Sequence, residues 1–301
     1  MMNPLVSVVM ITYGHEKYIE ESINGVLSQI FNSDIELIIS DDCSPDNTEN
    51  VVKNIMENHP NGHWIKYIRH EENLGAIPNF TWAISQAKGR YIAICEGDDY
   101  WTDPLKLQKQ VDFLENNPDY SLIFHKIKEL TTRTEKFTYP NPDSEETYTI
   151  EDLSKENFII TVSVVFRKHM DTLPEWLKYS PIGDYPLHML NASFGLIKYF
   201  PEEMAVYRVG SGMWSTQNKV DQIVNTMFCL KFLLLHFKNN RVVHGHLKKQ
   251  YDDFKNALIK PLEEKKVLDL KLKDHKYLES IMSFGYLFKI LKLKTMKKFK
   301  L

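Results

Sequence analysis

The chain has 301 residues, 43% of them hydrophobic and 26% charged, and its 37 basic and 40 acidic side chains leave a formal net charge of −3. This composition is that of a globular protein with a sizeable core, and it excludes a nucleic-acid binder with a broadly basic surface. The three cysteines, Cys43, Cys95 and Cys229, form no CxxC pair, so we expect neither a disulfide framework nor a structural zinc site. Neither a signal peptide nor a membrane-spanning run is recognisable, so we expect a cytoplasmic protein.

The first 125 residues alternate short apolar runs with segments of helical periodicity. The helices contain apolar residues on one side, as Ile19, Ile23 and Val26 do in the first of them. Strands are predicted at 5–11, 35–40, 64–69, 90–95 and 120–125, and helices at 16–30, 47–57, 76–87 and 104–115. Such alternation predicts an α/β fold with a mostly parallel sheet, in which ligands bind at the carboxyl ends of the strands.

The rest of the chain is less regular and carries the opposite charge. A polar loop at 131–149, a strand at 158–166 and a helix at 184–191 are predicted. Residues 241–301 hold 16 basic and 7 acidic groups, and Lys289–Leu301 contains six lysines and no acid. We therefore expect one domain at 1–215 and a helical region at 216–301. The basic end either lies on an anionic membrane surface or is an exposed cationic terminus.

Acidic pairs follow two of the predicted strands. Asp41 and Asp42 end the second strand, and Asp98 and Asp99 follow the fourth. Carboxylates that converge in one crevice repel each other unless a cation compensates, and Mg²⁺ or Mn²⁺ is the natural partner of oxygen ligands. The alternative for Asp42 is a cap of the helix that begins near Asn47, whereas a pair directly after a buried strand favours a metal or ligand role.

The segments VSVVMITYG, LIISDDCSPDNT, NLG and YIAICEGDDYW, in this order, resemble the family 2 glycosyltransferases. The resemblance covers about residues 4–215. It implies a GT-A type, Rossmann-like α/β fold with a C-terminal helical extension, a donor half at about 1–125 and an acceptor half at about 126–215. It also implies an inverting transfer from a nucleotide-sugar donor, and the DDYW form followed by DPLKLQKQ is similar to enzymes that build bacterial surface polysaccharides.

The same resemblance assigns site residues in the donor half. Thr12 and Tyr13 lie on the nucleotide side, where the Tyr13 ring packs on the base. Asp42 hydrogen-bonds the base. Asp98 lies near the ribose, and Asp99 binds the Mn²⁺ or Mg²⁺ ion.

An inverting transfer needs a base for the acceptor hydroxyl, and GDYPL resembles the family motif that supplies it as Asp184. Without the resemblance, Asp184 reads equally as a helix cap. Arg208 is expected to contact the diphosphate, with a structural ion pair as its alternative. Related sequences read YRxHxxGxWS where this chain has Gly210, so water replaces a third protein ligand to the metal.

We therefore expect an inverting, metal-dependent glycosyltransferase that moves a sugar from a UDP-linked donor to a carbohydrate or lipid-linked acceptor. It would work at the inner face of the cell membrane, with Lys289–Leu301 in contact with lipid. A nucleotidyltransferase is the enzymatic rival, but TYGHEKYI is not the glycine-rich basic loop it needs. A non-catalytic binding or scaffold protein is the other rival. His15, His125 and His188 lack metal-ligand spacing and receive no role.

Overall fold

The strands and helices expected in the first 125 residues are present, and each starts within three residues of its predicted position. The structure is a computed structural model that describes residues 4–131, 136–138, 142–212 and 214–264. Its contacts divide the chain into two compact units, 1–218 and 219–301.

The first unit alternates strands and helices over most of its length. Its elements are β1 (Val6–Thr12), α1 (Ile19–Leu27), β2 (Ile35–Asp41), α2 (Thr48–Asn58), β3 (Ile65–Arg69), α3 (Ala76–Gln86), β4 (Tyr91–Ile94), β5 (Tyr100–Trp101), α4 (Lys106–Asn116), β6 (Tyr120–Thr131), β7 (Lys136–Thr138), β8 (Glu146–Tyr148), α5 (Ile150–Leu153), β9 (Val165–Arg167), α6 (Asp184–Ala192) and β10 (Leu196–Val209).

Ten described strands form one sheet in the order β3-β2-β1-β4-β9-β6-β10-β5, with β7 beside β6 and β8 beside β10. Strands β1 to β4, β6 and β10 run in one direction, and β5, β7, β8 and β9 run against their neighbours. Every residue of β2 and β4 is buried, as expected for strands covered on both faces. The α/β class and the mostly parallel sheet are thus confirmed, and the carboxyl ends of β1, β2, β4 and β10 share one edge.

The structure differs from the sequence-based expectation in the middle of the chain. The strand predicted at 158–166 is a 3₁₀ turn at Thr161–Ser163 followed by β9, because Ser163 turns back to donate its backbone N–H and its hydroxyl to Ile160 O. Sequence patterning missed β10, in which Pro201 lies at a register shift between Phe200 and Glu203. Two short strands, β7 and β8, lie inside the segment predicted as a loop.

The second unit contains α7 (Lys219–His236) and α8 (Arg241–Glu264), which pack against each other. They are the C-terminal helices that the sequence predicted. In the part of the chain that the structure describes, no helix is both long and apolar enough to span a bilayer. The basic segment Lys289–Leu301 lies outside the described residues.

Helix α1 lies directly against the backbone of β5, the short strand that follows Asp98 and Asp99. Gly25 makes this approach possible, because a Cβ at that position would lie 2.8 Å from Trp101 O and 2.9 Å from Trp101 N. The glycine therefore sets the distance between the first helix and the strand next to the acidic pair.

We expect Gly25→Ala to lower the free energy of unfolding by about 2 kcal/mol, since overpacking against a backbone outweighs the better helix propensity of alanine. Urea denaturation measures the change. The control is Asn24→Ala, one position earlier on the exposed side of α1. Equal stability of the two variants would contradict the close packing.

Candidate active site

The loops after β1, β2 and β4 are tied together at the edge where these strands end. Asp42 N donates to Thr12 O over 2.9 Å, Gly97 N donates to Ile11 O over 2.9 Å, and Gly14 N donates to Ser44 Oγ over 3.0 Å. This edge is therefore one connected rim rather than three separate loops.

Two residues of the predicted nucleotide side lie at the end of β1. Thr12 is buried, and its Oγ1 has no hydrogen-bond partner among the described residues. Tyr13 is 49% exposed, so its ring is open to a ligand that approaches this edge. Their contacts with a nucleotide stay predictions.

Asp42 organises the loop that follows β3. Its Oδ1 accepts from Leu74 N over 2.7 Å and its Oδ2 from Gly75 N over 2.9 Å. It does not cap α2, whose N-cap is Asn47, so the capping alternative was wrong. A carboxylate has about four lone-pair sites, so these two bonds leave acceptor capacity for the predicted base contact.

Asp98 and Asp99 are both buried, and the end of β10 holds them. Ser211 Oγ donates to Asp98 Oδ2 over 3.0 Å, and Arg208 N donates to Asp99 Oδ1 over 2.8 Å. Asp99 Oδ2 has no hydrogen-bond partner among the described residues. Burial, with the charges of Asp98 and Glu96, holds the pKa of Asp99 well above its usual range.

Glu96 is a third acid of this cluster, and sequence reasoning gave it no role. Burial raises the pKa of Glu96 to about 8, and the charges of Asp98 and then Asp184 add to that effect. Burial raises the pKa of Tyr207, and the charges of Asp99, Glu96, Asp98 and Asp184 add to that effect. The fold thus brings Asp184, at the start of α6, close enough for its charge to act on Glu96.

Asp184 is the first residue of α6, where the positive end of the helix dipole favours a carboxylate. The N-cap is Gly183, and no side chain caps the helix, so the capping alternative for Asp184 was wrong. Thr161 Oγ1, in the 3₁₀ turn, donates to Asp184 Oδ2 over 3.3 Å.

Arg208 supports the acidic pair from β10. Its Nη1 donates to Asp98 O over 2.6 Å, its Nη2 pairs with Glu21, and its guanidinium lies 5.0 Å from the ring centre of Tyr18 and 4.5 Å from that of Tyr100. The structure therefore displays the ion pair that was the alternative for this residue. A diphosphate contact stays a prediction.

The loop after β10 requires glycine at two positions, and the first of them, Gly210, is where the family resemblance led us to expect histidine. Gly210 has φ +98, a conformation that residues with a Cβ rarely adopt. A Cβ on Gly212 would lie 2.8 Å from Asp98 Oδ2. Both glycines let this loop close over the acidic pair.

A sequence profile described as Glycosyl transferase family 2 matches residues 7–173. The chain belongs to this family. An uncharacterised protein of Mycobacterium tuberculosis (strain ATCC 25618 / H37Rv) is 37% identical over 212 residues, 69% of this chain and 60% of that protein, so the chain spans less than two thirds of this relative.

Two further family comparisons concern named proteins. TuaG of Bacillus subtilis (strain 168), a putative teichuronic acid biosynthesis glycosyltransferase, is 38% identical to this chain over 111 residues. The match spans 37% of this chain and 42% of TuaG. The match to the crystal structure of S. aureus TarS 1–349 with UDP covers 93% of this chain and 79% of the TarS chain, with a TM-score of 0.63 and 20% sequence identity. At that identity the likeness shows the fold alone.

The acidic cluster fits a hard divalent cation. Asp99 Oδ2 is a buried, unpartnered carboxylate oxygen, and the cluster around it is made of acids that repel one another. Within the described residues no group of three His, Cys, Asp or Glu side chains could hold a metal by itself. Binding through one or two carboxylates plus substrate phosphates is the mode that Mg²⁺ prefers.

The raised pKa of Glu96 predicts how stability depends on pH. A carboxyl group whose pKa rises on folding binds its proton more tightly in the folded state, so the free energy of unfolding falls as pH rises from the usual 4.5 through about 8. Glu96→Gln removes this loss. At pH 9 we expect the free energy of unfolding of the variant to exceed that of the parent by ~1 kcal/mol or more.

Urea denaturation of both proteins at pH 6 and pH 9 checks this prediction. The matched control is Glu71→Gln, which changes an exposed glutamate. Parallel loss of stability in the parent and in Glu96→Gln would show that Glu96 ionises normally in the fold.

Proposed function

We propose that this chain is an inverting, metal-dependent glycosyltransferase that moves a sugar from a UDP-linked donor to a hydroxyl of a bacterial surface glycan. One arrangement carries the proposal: Arg208 on β10 holds Asp98 and Asp99 together, and Asp184 lies near enough for its charge to act on the neighbouring Glu96. The candidate base Asp184, the candidate ribose ligand Asp98 and the candidate metal ligand Asp99 would therefore share one crevice.

The comparisons support the donor and acceptor classes of this proposal. UDP is bound in the TarS structure, which shares the fold, and the name of TuaG refers to teichuronic acid biosynthesis. The site offers the groups that such a donor needs, since Tyr13 presents an exposed ring and Asp42 retains acceptor capacity beside it.

In the proposed reaction Asp184 takes the proton of the acceptor hydroxyl as its oxygen attacks the anomeric carbon. The bond from that carbon to the diphosphate oxygen breaks, and the diphosphate leaves with the electron pair. Asp99, with Asp98 beside it, would hold the Mn²⁺ or Mg²⁺ ion, which neutralises charge on the leaving diphosphate when bound. Thr161 holds Asp184 through its hydroxyl.

Arg208 has a supporting part in this reaction. Its backbone N–H fixes one oxygen of Asp99, and its guanidinium fixes the carbonyl of Asp98. The other oxygen of Asp99 is thereby left as the ligand of the ion.

A non-catalytic binding protein is the second candidate, and Gly210 is the observation that favours it. A glycine in place of histidine removes one side chain from the diphosphate side of the crevice. The retention of Asp98, Asp99 and Asp184 in one cluster favours the enzyme.

The proposal also includes a location and a division of the chain. The reaction would take place in the cytoplasm at the inner membrane face, with a carbohydrate or lipid-linked acceptor and with Lys289–Leu301 on anionic lipid. The glycosyltransferase domain would be 1–215 and the helical region 216–301, close to the two units of the structure.

Nucleotide titration tests the donor site. We expect calorimetry with UDP, GDP, dTDP and CMP to show Mn²⁺-dependent binding of UDP, and Asp99→Asn to weaken that binding at least tenfold because the buried ligand oxygen is lost. Asp34→Asn, at an exposed position, is the control. Binding of none of the four nucleotides would favour the scaffold alternative.

Asp184→Asn tests the base. We expect this variant to bind UDP and Mn²⁺ as the parent does but to lose transfer by about 10² to 10⁴, because an amide cannot accept the hydroxyl proton. UDP release from the donor in the presence of acceptor measures transfer. Asp171→Asn, exposed in the same half, is the control. Undiminished turnover in Asp184→Asn would remove Asp184 from the mechanism.

A further inference from the structure

Helix α6 carries a second polar group behind the candidate base. His188 follows Asp184 by four residues, so both side chains lie on the same side of the helix, one turn apart. Asn191, a further turn along, extends this polar side. His188 is 0% exposed and Asn191 is 1% exposed, so the polar side of α6 faces the interior.

Three buried polar atoms on this side of the helix are not paired, although Asn191 Nδ2 donates to Leu187 O. Among the described residues, no hydrogen-bond partner is found for either ring nitrogen of His188 or for Oδ1 of Asn191. A buried polar group without a partner costs about 1 to 3 kcal/mol, and the large majority of such groups in proteins are paired. A leucine at position 188 would avoid that cost, so the imidazole needs an explanation other than packing.

The charge around His188 points to Asp184. Burial lowers the pKa of His188 to about 4, and the one charge that acts in the other direction is that of Asp184. The ring is therefore neutral at pH 7, with one N–H donor and one acceptor nitrogen. Thr161 supplies one hydrogen bond to Oδ2 of Asp184.

His125 provides the comparison, since it is also fully buried in the first unit. Its Nδ1 lies 2.7 Å from Lys126 O, its Nε2 has no partner among the described residues, and the charges that act on its ring are those of Lys106 and Lys109. A buried histidine with a backbone partner and no acidic neighbour is a structural group. His188 has the reverse surroundings, an acidic neighbour and no partner.

We propose that His188 is a positioning residue for Asp184: its neutral ring directs an N–H at the Asp184 carboxylate through one water, opposite the Thr161 hydroxyl. This proposal rests on the proposed function, because it takes Asp184 as the base. Two donors fix the side-chain rotamer of the carboxylate and leave a lone pair for the acceptor hydroxyl. They also stabilise the ionised form, which is the form that accepts the proton.

The test uses donor hydrolysis, in which water replaces the unknown acceptor, and follows UDP release from UDP-glucose with Mn²⁺ across pH. His188→Leu removes the donor, so we expect kcat to fall about tenfold and the acid limb of kcat to move up by about one pH unit, with KM for UDP-glucose unchanged. His188→Gln keeps an N–H donor and is expected to restore most of the acid limb. A purely structural role predicts loss of stability in both variants without movement of the acid limb.

His125→Leu is the matched control, and we expect it to lose stability with an unmoved acid limb. Asp184→Asn separates the two proposals: retained hydrolysis in that variant overturns the proposed function, and this proposal with it. Lost hydrolysis in Asp184→Asn together with an unmoved acid limb in His188→Leu overturns this proposal alone.

A second measurement does not depend on activity or on the leucine variant. In protein labelled with ¹⁵N-histidine, we expect the ring-nitrogen resonances of His188 to move when Asp184 becomes Asn, while those of His125 stay in place. Unchanged His188 resonances would show that its ring is not linked to Asp184 through a water and would overturn the proposal.

Discussion

Repulsion among clustered acids is the constraint around which the functional edge of this protein is built. Glu96, Asp98 and Asp99 follow one buried strand, and the charge of Asp184 on helix α6 acts on Glu96. Burial and mutual repulsion raise the pKa of Glu96 and of Asp99, so both carboxyl groups ionise less readily than usual unless a cation compensates their charge. A bound cation with its diphosphate would supply the compensating charge that the acidic cluster lacks.

Strand β10 provides the compensation that the fold itself contains. Its Arg208 is buried, pairs with Glu21 on α1 and places a backbone N–H on Asp99 and a guanidinium N–H on the Asp98 carbonyl. These contacts orient the two acids without neutralising the free oxygen of Asp99. A guanidinium that approached this oxygen would compete with a metal ion, so its engagement elsewhere preserves the site.

The sequence predicted the parts of this edge that depend on local patterns. Alternating periodicity placed Asp98 and Asp99 at a strand end, and the family resemblance supplied Asp184. No local pattern predicts that Asp184 lies near Glu96. Glu96 was missed because a lone acid before a glycine has no diagnostic spacing. The sequence left the role of Arg208 open between a diphosphate contact and an ion pair. The ion-pair partner, Glu21, is 187 residues away in the chain, so no local pattern connects the two residues. The strand that carries Arg208 was itself hidden by Pro201 at its bulge.

Unpaired buried atoms connect the two halves of the proposed mechanism. Asp99 Oδ2 after β4 and the ring nitrogens of His188 on α6 all lack partners among the described residues, although most buried polar groups in proteins are paired. A fold selected for stability alone would pair these atoms or replace them with apolar groups, since each costs free energy. Their positions, one in the acidic pair Asp98–Asp99 and one a helical turn behind the proposed base Asp184, are those where a ligand or a reacting group would compensate the cost. The cost of the cluster and its capacity for chemistry therefore have the same physical origin.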